Sequence, residues 1–139
     1  MNKNYPEKAM QDVYWSFIGE EPFYTVLSFE KAVKEYYNKL NIDEIWNSKE
    51  IIFNFSKVQI QYLYMEFDKE ENDFIEIEPI ITLTAENGKY FSALELLFNI
   101  NNEVIKNMQN TPAHFFEGLF LYEESADQEI PLYFLICGS

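Results

Sequence analysis

One histidine and one cysteine bound the reactions this chain could run. Any His-dependent triad rests on His114, which lies in the run His114-Phe115-Phe116-Glu117. A His and a Glu three apart could share a metal on a helix. The run is strand-like, however, and an offset of three in a strand puts the two side chains on opposite faces. His114 therefore reads as a residue closing the turn after Pro112, bonded to a backbone carbonyl. Cys137 sits in an apolar strand-like run without a basic neighbour, so it reads as a small buried hydrophobe rather than a nucleophile. A lone cysteine also excludes a disulfide framework and any multi-Cys metal site. Gly19, Gly88, Gly118 and Gly138 are isolated, so no loop is built to cradle phosphate. Asp68 to Asp73 has neither the glycine nor the ligand spacing of an EF-hand, and no carboxylate spacing selects a glycosidase pair. No catalytic residue, metal or cofactor is expected.

Charge is more informative. Ten Lys, no Arg and 24 Asp and Glu give a net charge of −14 in 139 residues. That sign is wrong for binding phosphate backbones or an anionic membrane surface. No apolar stretch approaches the length of a membrane span. No basic and then apolar leader opens the chain, which points to the cytoplasm. The acids are unevenly placed. Residues 1–57 carry seven Lys against nine acids, and residues 58–139 three Lys against fifteen. Span 66–78 holds seven acids and one Lys; span 117–129 holds five acids and no Lys. Such clusters keep a protein soluble, and on rigid turns they also steer a basic partner. Tyrosines lie among them: Tyr62 and Tyr64 share a strand face with Glu66, and Tyr122 precedes Glu123 and Glu124. Tyr among acids suits a protein-binding face. The candidate contact residues are Tyr62, Tyr64, Glu66, Asp68, Glu70, Glu71, Asp73, Tyr122, Glu123, Glu124 and Asp127.

The elements that must hold these residues follow from period and punctuation. Met10, Val13, Tyr14, Phe17 and Ile18 recur at helical spacing between Pro6 and Gly19, predicting a helix over Pro6–Ile18. Phe23 to Leu27 fits a short extended piece or the next helix's first turn. Ser28 can cap a helix whose stripe is Phe29, Ala32, Val33, Tyr36, Tyr37 and Leu40, with Asn41 as a stop. The period then falls to two. Ile51–Phe55, Val58–Phe67 and Phe74–Thr84 read as strands, with Asp68 to Asp73 as a hairpin connection and Asn87-Gly88 as a closing turn. Pro79 inside the third run marks an edge or a bulge. Ser92-Ala93-Leu94-Glu95 is a capping box opening a helix that Thr111-Pro112 ends. Phe115–Tyr122 and Leu132–Cys137 complete the set. The order predicts one α+β domain over residues 1–139, an antiparallel sheet of about five strands covered by helices. Its core should include Val33, Ile75, Ile77, Leu83, Leu97, Ile100, Val104 and Phe134.

The second half resembles bacterial immunity proteins of polymorphic-toxin and contact-dependent inhibition systems. The residues that carry the likeness are Asn87-Gly88, Ser92-Ala93-Leu94-Glu95-Leu96-Leu97, Phe115-Phe116-Glu117-Gly118-Leu119 and Pro131 to Ser139. The resemblance implies a non-enzymatic antitoxin, a monomer rather than a dimer, holding one cognate toxin, often a basic nuclease. It assigns no residue roles. The order from Ser28 to Cys137 is also similar to class I chaperones of type III secretion. Those are dimers that wrap an extended effector segment and end in a helix, which is not expected here; a chaperone of this kind or another peptide-binding module is the alternative reading.

Overall fold

A computed structural model describes residues 4–139; Met1-Asn2-Lys3, part of the stretch read for a leader, lies outside the described residues. Two helices and nine strands follow in the order β1 (Lys8–Ala9), α1 (Val26–Lys39), β2 (Ile51–Phe53), β3 (Lys57–Gln61), β4 (Tyr64–Asp68), β5 (Asp73–Ile77), β6 (Ile80–Thr84), β7 (Phe91–Ser92), α2 (Ala93–Val104), β8 (Phe115–Leu121) and β9 (Leu132–Gly138). The fold is α+β. Its five-stranded sheet has the order β1-β8-β9-β3-β6, and two further pairs, β2-β7 and β4-β5, stand outside it.

The sheet is mixed where an antiparallel one was expected. β9 runs parallel to β3, with Gln59 opposite Leu132 and Gln61 opposite Phe134, while its other neighbours pair antiparallel. Parallel neighbours need a crossover between them. Here β7, α2 and β8 intervene in the chain, and β9 returns between β8 and β3.

α1 begins one turn earlier than Ser28. Thr25 is its cap, and its Oγ1 accepts from the Ser28 N–H at 3.1 Å. Phe29, Val33 and Tyr37 bury one stripe, and Asn41 leaves the helix at φ +54°. In α2, Ser92 accepts from the Glu95 N–H at 3.1 Å. The capping box is only half made, because a Glu95 oxygen accepts from the Glu86 N–H at 2.7 Å. Ala93, Leu96, Leu97, Ile100 and Val104 face the core, and the helix stops at Val104, short of Met108.

The N-terminal segment is extended, correcting the helix expected over Pro6–Ile18. Val13, Trp15 and Phe17 are all buried at period two, while Tyr14 and Ile18 of the expected helical stripe are exposed; of that stripe Val13 and Phe17 fit both periods. The segment lies antiparallel along β8, with Lys8 opposite Phe120 and Ser16 opposite Phe115. Trp15 Nε1 donates to Asn101 Oδ1 at 3.0 Å inside the core. Asn102 holds the Phe23 main chain on both sides, accepting from its N–H and donating to its carbonyl, each at 2.9 Å. Buried amide partners of this kind override a helical pattern.

Of the expected core, Val33, Leu83, Leu97, Ile100 and Val104 are buried. Phe134 and Ile77 are only half-buried, and Ile75 is exposed. Along β9 it is Tyr133 and Leu135 that face the core, which turns Phe134 to the far side of the sheet against the Tyr122 ring. Ile75 and Ile77 belong to β5, outside the main sheet.

Gly118 marks a bulge in β8 at φ +123°, where a Cβ would lie 3.1 Å from the Ala9 carbonyl and 3.0 Å from Gln11 Cγ. Gly118→Ala should therefore lower the urea midpoint at unchanged slope, at a cost of about 1–3 kcal/mol.

Candidate functional site

The run Val58–Phe67, expected as one strand, divides at Tyr62-Leu63, and Phe74–Thr84 divides at Glu78-Pro79. β3 and β6 pair inside the main sheet, from Lys57 opposite Thr84 to Gln61 opposite Ile80. β4 and β5 resume the same hairpin, from Tyr64 opposite Ile77 to Asp68 opposite Asp73, and pair with no third strand. They form an arm without one fully buried residue. Two bonds hold its base: the Met65 N–H donates to Thr111 Oγ1, and Asn107 Nδ2 donates to the Tyr62 hydroxyl, each at 2.9 Å.

Cross-strand register sorts the arm into two faces, because opposed residues point the same way. Met65, Glu76, Phe67 and Phe74 share one. Phe67 and Phe74 meet edge to face at 5.4 Å, and each is nearly half exposed. Tyr64, Ile77, Glu66, Ile75, Asp68 and Asp73 share the other. Asp68 and Asp73 oppose each other directly, and like charges so placed repel. Their second role is local: Asp68 Oδ1 accepts from the Glu70 N–H at 2.9 Å and Asp73 Oδ1 from the Phe74 N–H at 2.8 Å. Asn72, at φ +53°, turns the chain back. Among the described residues no arm carboxylate has a cation within ion-pair distance.

The structure separates the two acidic spans. β9 is parallel to β3, so the loop before β9 lies beyond the start of β3, whereas the arm extends from its end. Glu66, Asp68, Glu70, Glu71 and Asp73 are thus at one end of the sheet, and Tyr122, Glu123, Glu124 and Asp127 at the other. The second group is a tight turn. Glu123–Ser125 form one 3-10 turn, Ser125 Oγ donates to the Tyr122 carbonyl at 2.7 Å and accepts from the Leu132 N–H at 2.9 Å, and the Tyr122 hydroxyl donates to Glu124. That bond raises the Tyr122 pKa. Tyr62 is buried, its pKa raised mainly by that burial, and its ring lies 6.0 Å from the half-buried Tyr64. Tyr62 therefore supports the arm from beneath.

Phe67 and Phe74 were absent from the expected contact residues. Their signal lies in the symmetry of Phe67-Asp68 and Asp73-Phe74 about the turn, which antiparallel pairing converts into a facing aromatic pair.

His114 bonds a side chain rather than a carbonyl: its Nδ1 lies 2.8 Å from the Ser16 hydroxyl, and its own carbonyl accepts from the Phe17 N–H. Ser16 is buried, and among the described residues no carboxylate holds the other ring nitrogen. Ser16 and His114 thus form a hydrogen-bonded pair without a third, orienting acid among the described residues. Searches with family models, against curated proteins and against solved structures find no match to this chain.

Cys137 is the remaining nucleophile. Burial, with Glu117 nearby, pushes its thiol up to about 12. Unfolded, a thiol ionises near pH 8.5, so between these values the native thiol stays protonated while the unfolded one reacts. Iodoacetamide at pH 9 should modify native Cys137 more than about a hundredfold more slowly than the urea-unfolded chain.

Proposed function

We propose that this chain is a non-catalytic immunity protein, a cytoplasmic monomer that neutralises a basic toxin domain by gripping it with the β4–β5 arm. The arm carries this reading. It leaves the sheet, presents an aromatic pair to solvent, and holds directly opposed carboxylates with no cation within ion-pair distance among the described residues. Each feature costs free energy in the isolated protein. A partner with Lys and Arg around an apolar recess relieves all of them together: its cations neutralise Asp68, Asp73, Glu70 and Glu71, and its recess desolvates Phe67 and Phe74.

A nuclease that holds phosphate has such a surface. Carboxylates on a two-stranded ribbon take the place of phosphate oxygens, and the ribbon itself excludes the substrate. Attraction over distance sets the encounter rate, and the buried aromatic anchor sets the lifetime.

An immunity role requires a neighbouring reading frame to encode a toxin domain that this chain binds; the test is to express such domains and follow association by stopped flow at two salt concentrations. Glu70→Lys with Glu71→Lys should slow association about tenfold at low salt and flatten its salt dependence. Phe67→Ala with Phe74→Ala should raise the dissociation rate and weaken binding by about 2 kcal/mol or more. Glu123→Lys with Glu124→Lys makes the same change in net charge at the opposite end and should have a much smaller effect. Equal effects from both charge reversals, with no change from the Phe pair, would remove the arm from the interface.

A further inference from the structure

β1 is an edge of the five-stranded sheet, and β2 is an edge of the small β2-β7 pair. Each has a single neighbour. The Leu121 N–H donates to the Glu7 carbonyl at 2.8 Å, so Glu7 is hydrogen-bonded to β8, and strand alternation turns the N–H and carbonyl of Lys8 away from it. The Ala93 N–H donates to the Glu50 carbonyl at 2.8 Å, and by the same alternation the N–H and carbonyl of Ile51 face away from β7. Neither Lys8 nor Ile51 makes a main-chain bond to any other described segment. Both residues line one cavity of about 390 Å³, with Ala9 to Asp12 on the β1 side and Glu50 to Ile52 on the β2 side. Ile51 and Ile52 also line a larger one of about 880 Å³, where Tyr5 and Phe55 meet edge to face at 4.9 Å. The charged residues described on that larger cavity are Lys57, Lys89 and Glu129. Neither lysine has a carboxylate within ion-pair distance among the described residues.

We propose that this channel takes up an extended segment of a protein partner as an added strand between β1 and β2, with an acidic side chain of that segment held by Lys57 and Lys89. Unpaired strand edges are templates for main-chain pairing, and two edges on one cavity can satisfy both sides of an inserted strand. Charge fixes its direction. At the narrow end Asp12 and Glu50 outnumber Lys8, whereas at the wide end Lys57 and Lys89 outnumber Glu129, so an acid is favoured at the wide end. Tyr5, Ile52 and Phe55 offer apolar surface to an aliphatic neighbour of that acid. The wide end lies beside Lys57 and Ile130, opposite the β4–β5 arm, so this site is independent of the arm.

The probe is a phage-displayed library of random peptides of about ten residues, selected on the full chain and measured as synthetic peptides by fluorescence anisotropy. Selection should enrich strand-forming sequences without proline and with Asp or Glu near one end. Lys57→Glu with Lys89→Glu should weaken the selected peptide at least about tenfold. N-methylation of alternate peptide nitrogens should weaken it as much, since it blocks edge pairing and leaves the side chains in place. Glu70→Lys with Glu71→Lys should leave its affinity unchanged. No enrichment, equal binding after the lysine reversals or N-methylation, or loss of binding on the arm reversal would overturn the proposal.

Discussion

The surface of this protein depends on one missing hydrogen-bond donor. The long hairpin from Lys57 to Thr84 keeps one register throughout, yet its ladder stops after Gln61 and Ile80. At the next position the Tyr62 N–H donates to the Pro79 carbonyl at 3.2 Å, and proline has no N–H to return. Tyr62 turns into the core and Leu63 out to solvent. β9 accompanies β3 only as far as Gln61 and beyond that pairs with β8 alone, so the hairpin continues without a third strand. A continuous ladder here would lay β4 and β5 into the sheet, where their acids would be costly to bury. The break lets one hairpin serve as core at its base and as an exposed charged ribbon at its tip.

The base is held from α2's end of the fold. Asn107 and Thr111, both just past the helix, bond Tyr62 and Met65. α2 is itself fixed to the N-terminal segment through Asn101 and Asn102. Polar side chains thus set where the extended segment, the helix and the arm meet, and aromatic packing fills the space between them. Trp15 touches Phe29 at 5.0 Å, and Phe53 touches Tyr133 at 4.6 Å.

Local signals in the sequence suffice where local physics decides. The Ser92 cap and the apolar face of α2 mark that helix, and alternation marks β8 and β9. The N-terminal segment shows where it fails: Val13 and Phe17 satisfy both periods, and Trp15, off the helical stripe, is buried against Asn101, 86 residues away. Pro79 signalled an irregular strand. The alternation around it nonetheless pointed Ile75 and Ile77 to a core that β5 never reaches, because period alone does not say whether a neighbouring layer exists. The acidic residues were legible as charge and illegible as a surface. Whether Glu70 and Glu123 share a face depends on the direction of β9 against β3, a property of the crossover rather than of either segment.

The account turns on the arm being the surface a partner covers. Hydrogen exchange with and without the proposed toxin partner, read peptide by peptide, tests this most directly. Free, the amides of 64–77 should exchange through local opening, well before those of β3 and β9. Bound, they should slow by about tenfold or more, with Glu123 to Gln128 unchanged. Protection confined to other segments, with 64–77 exchanging as in the free chain, would contradict it.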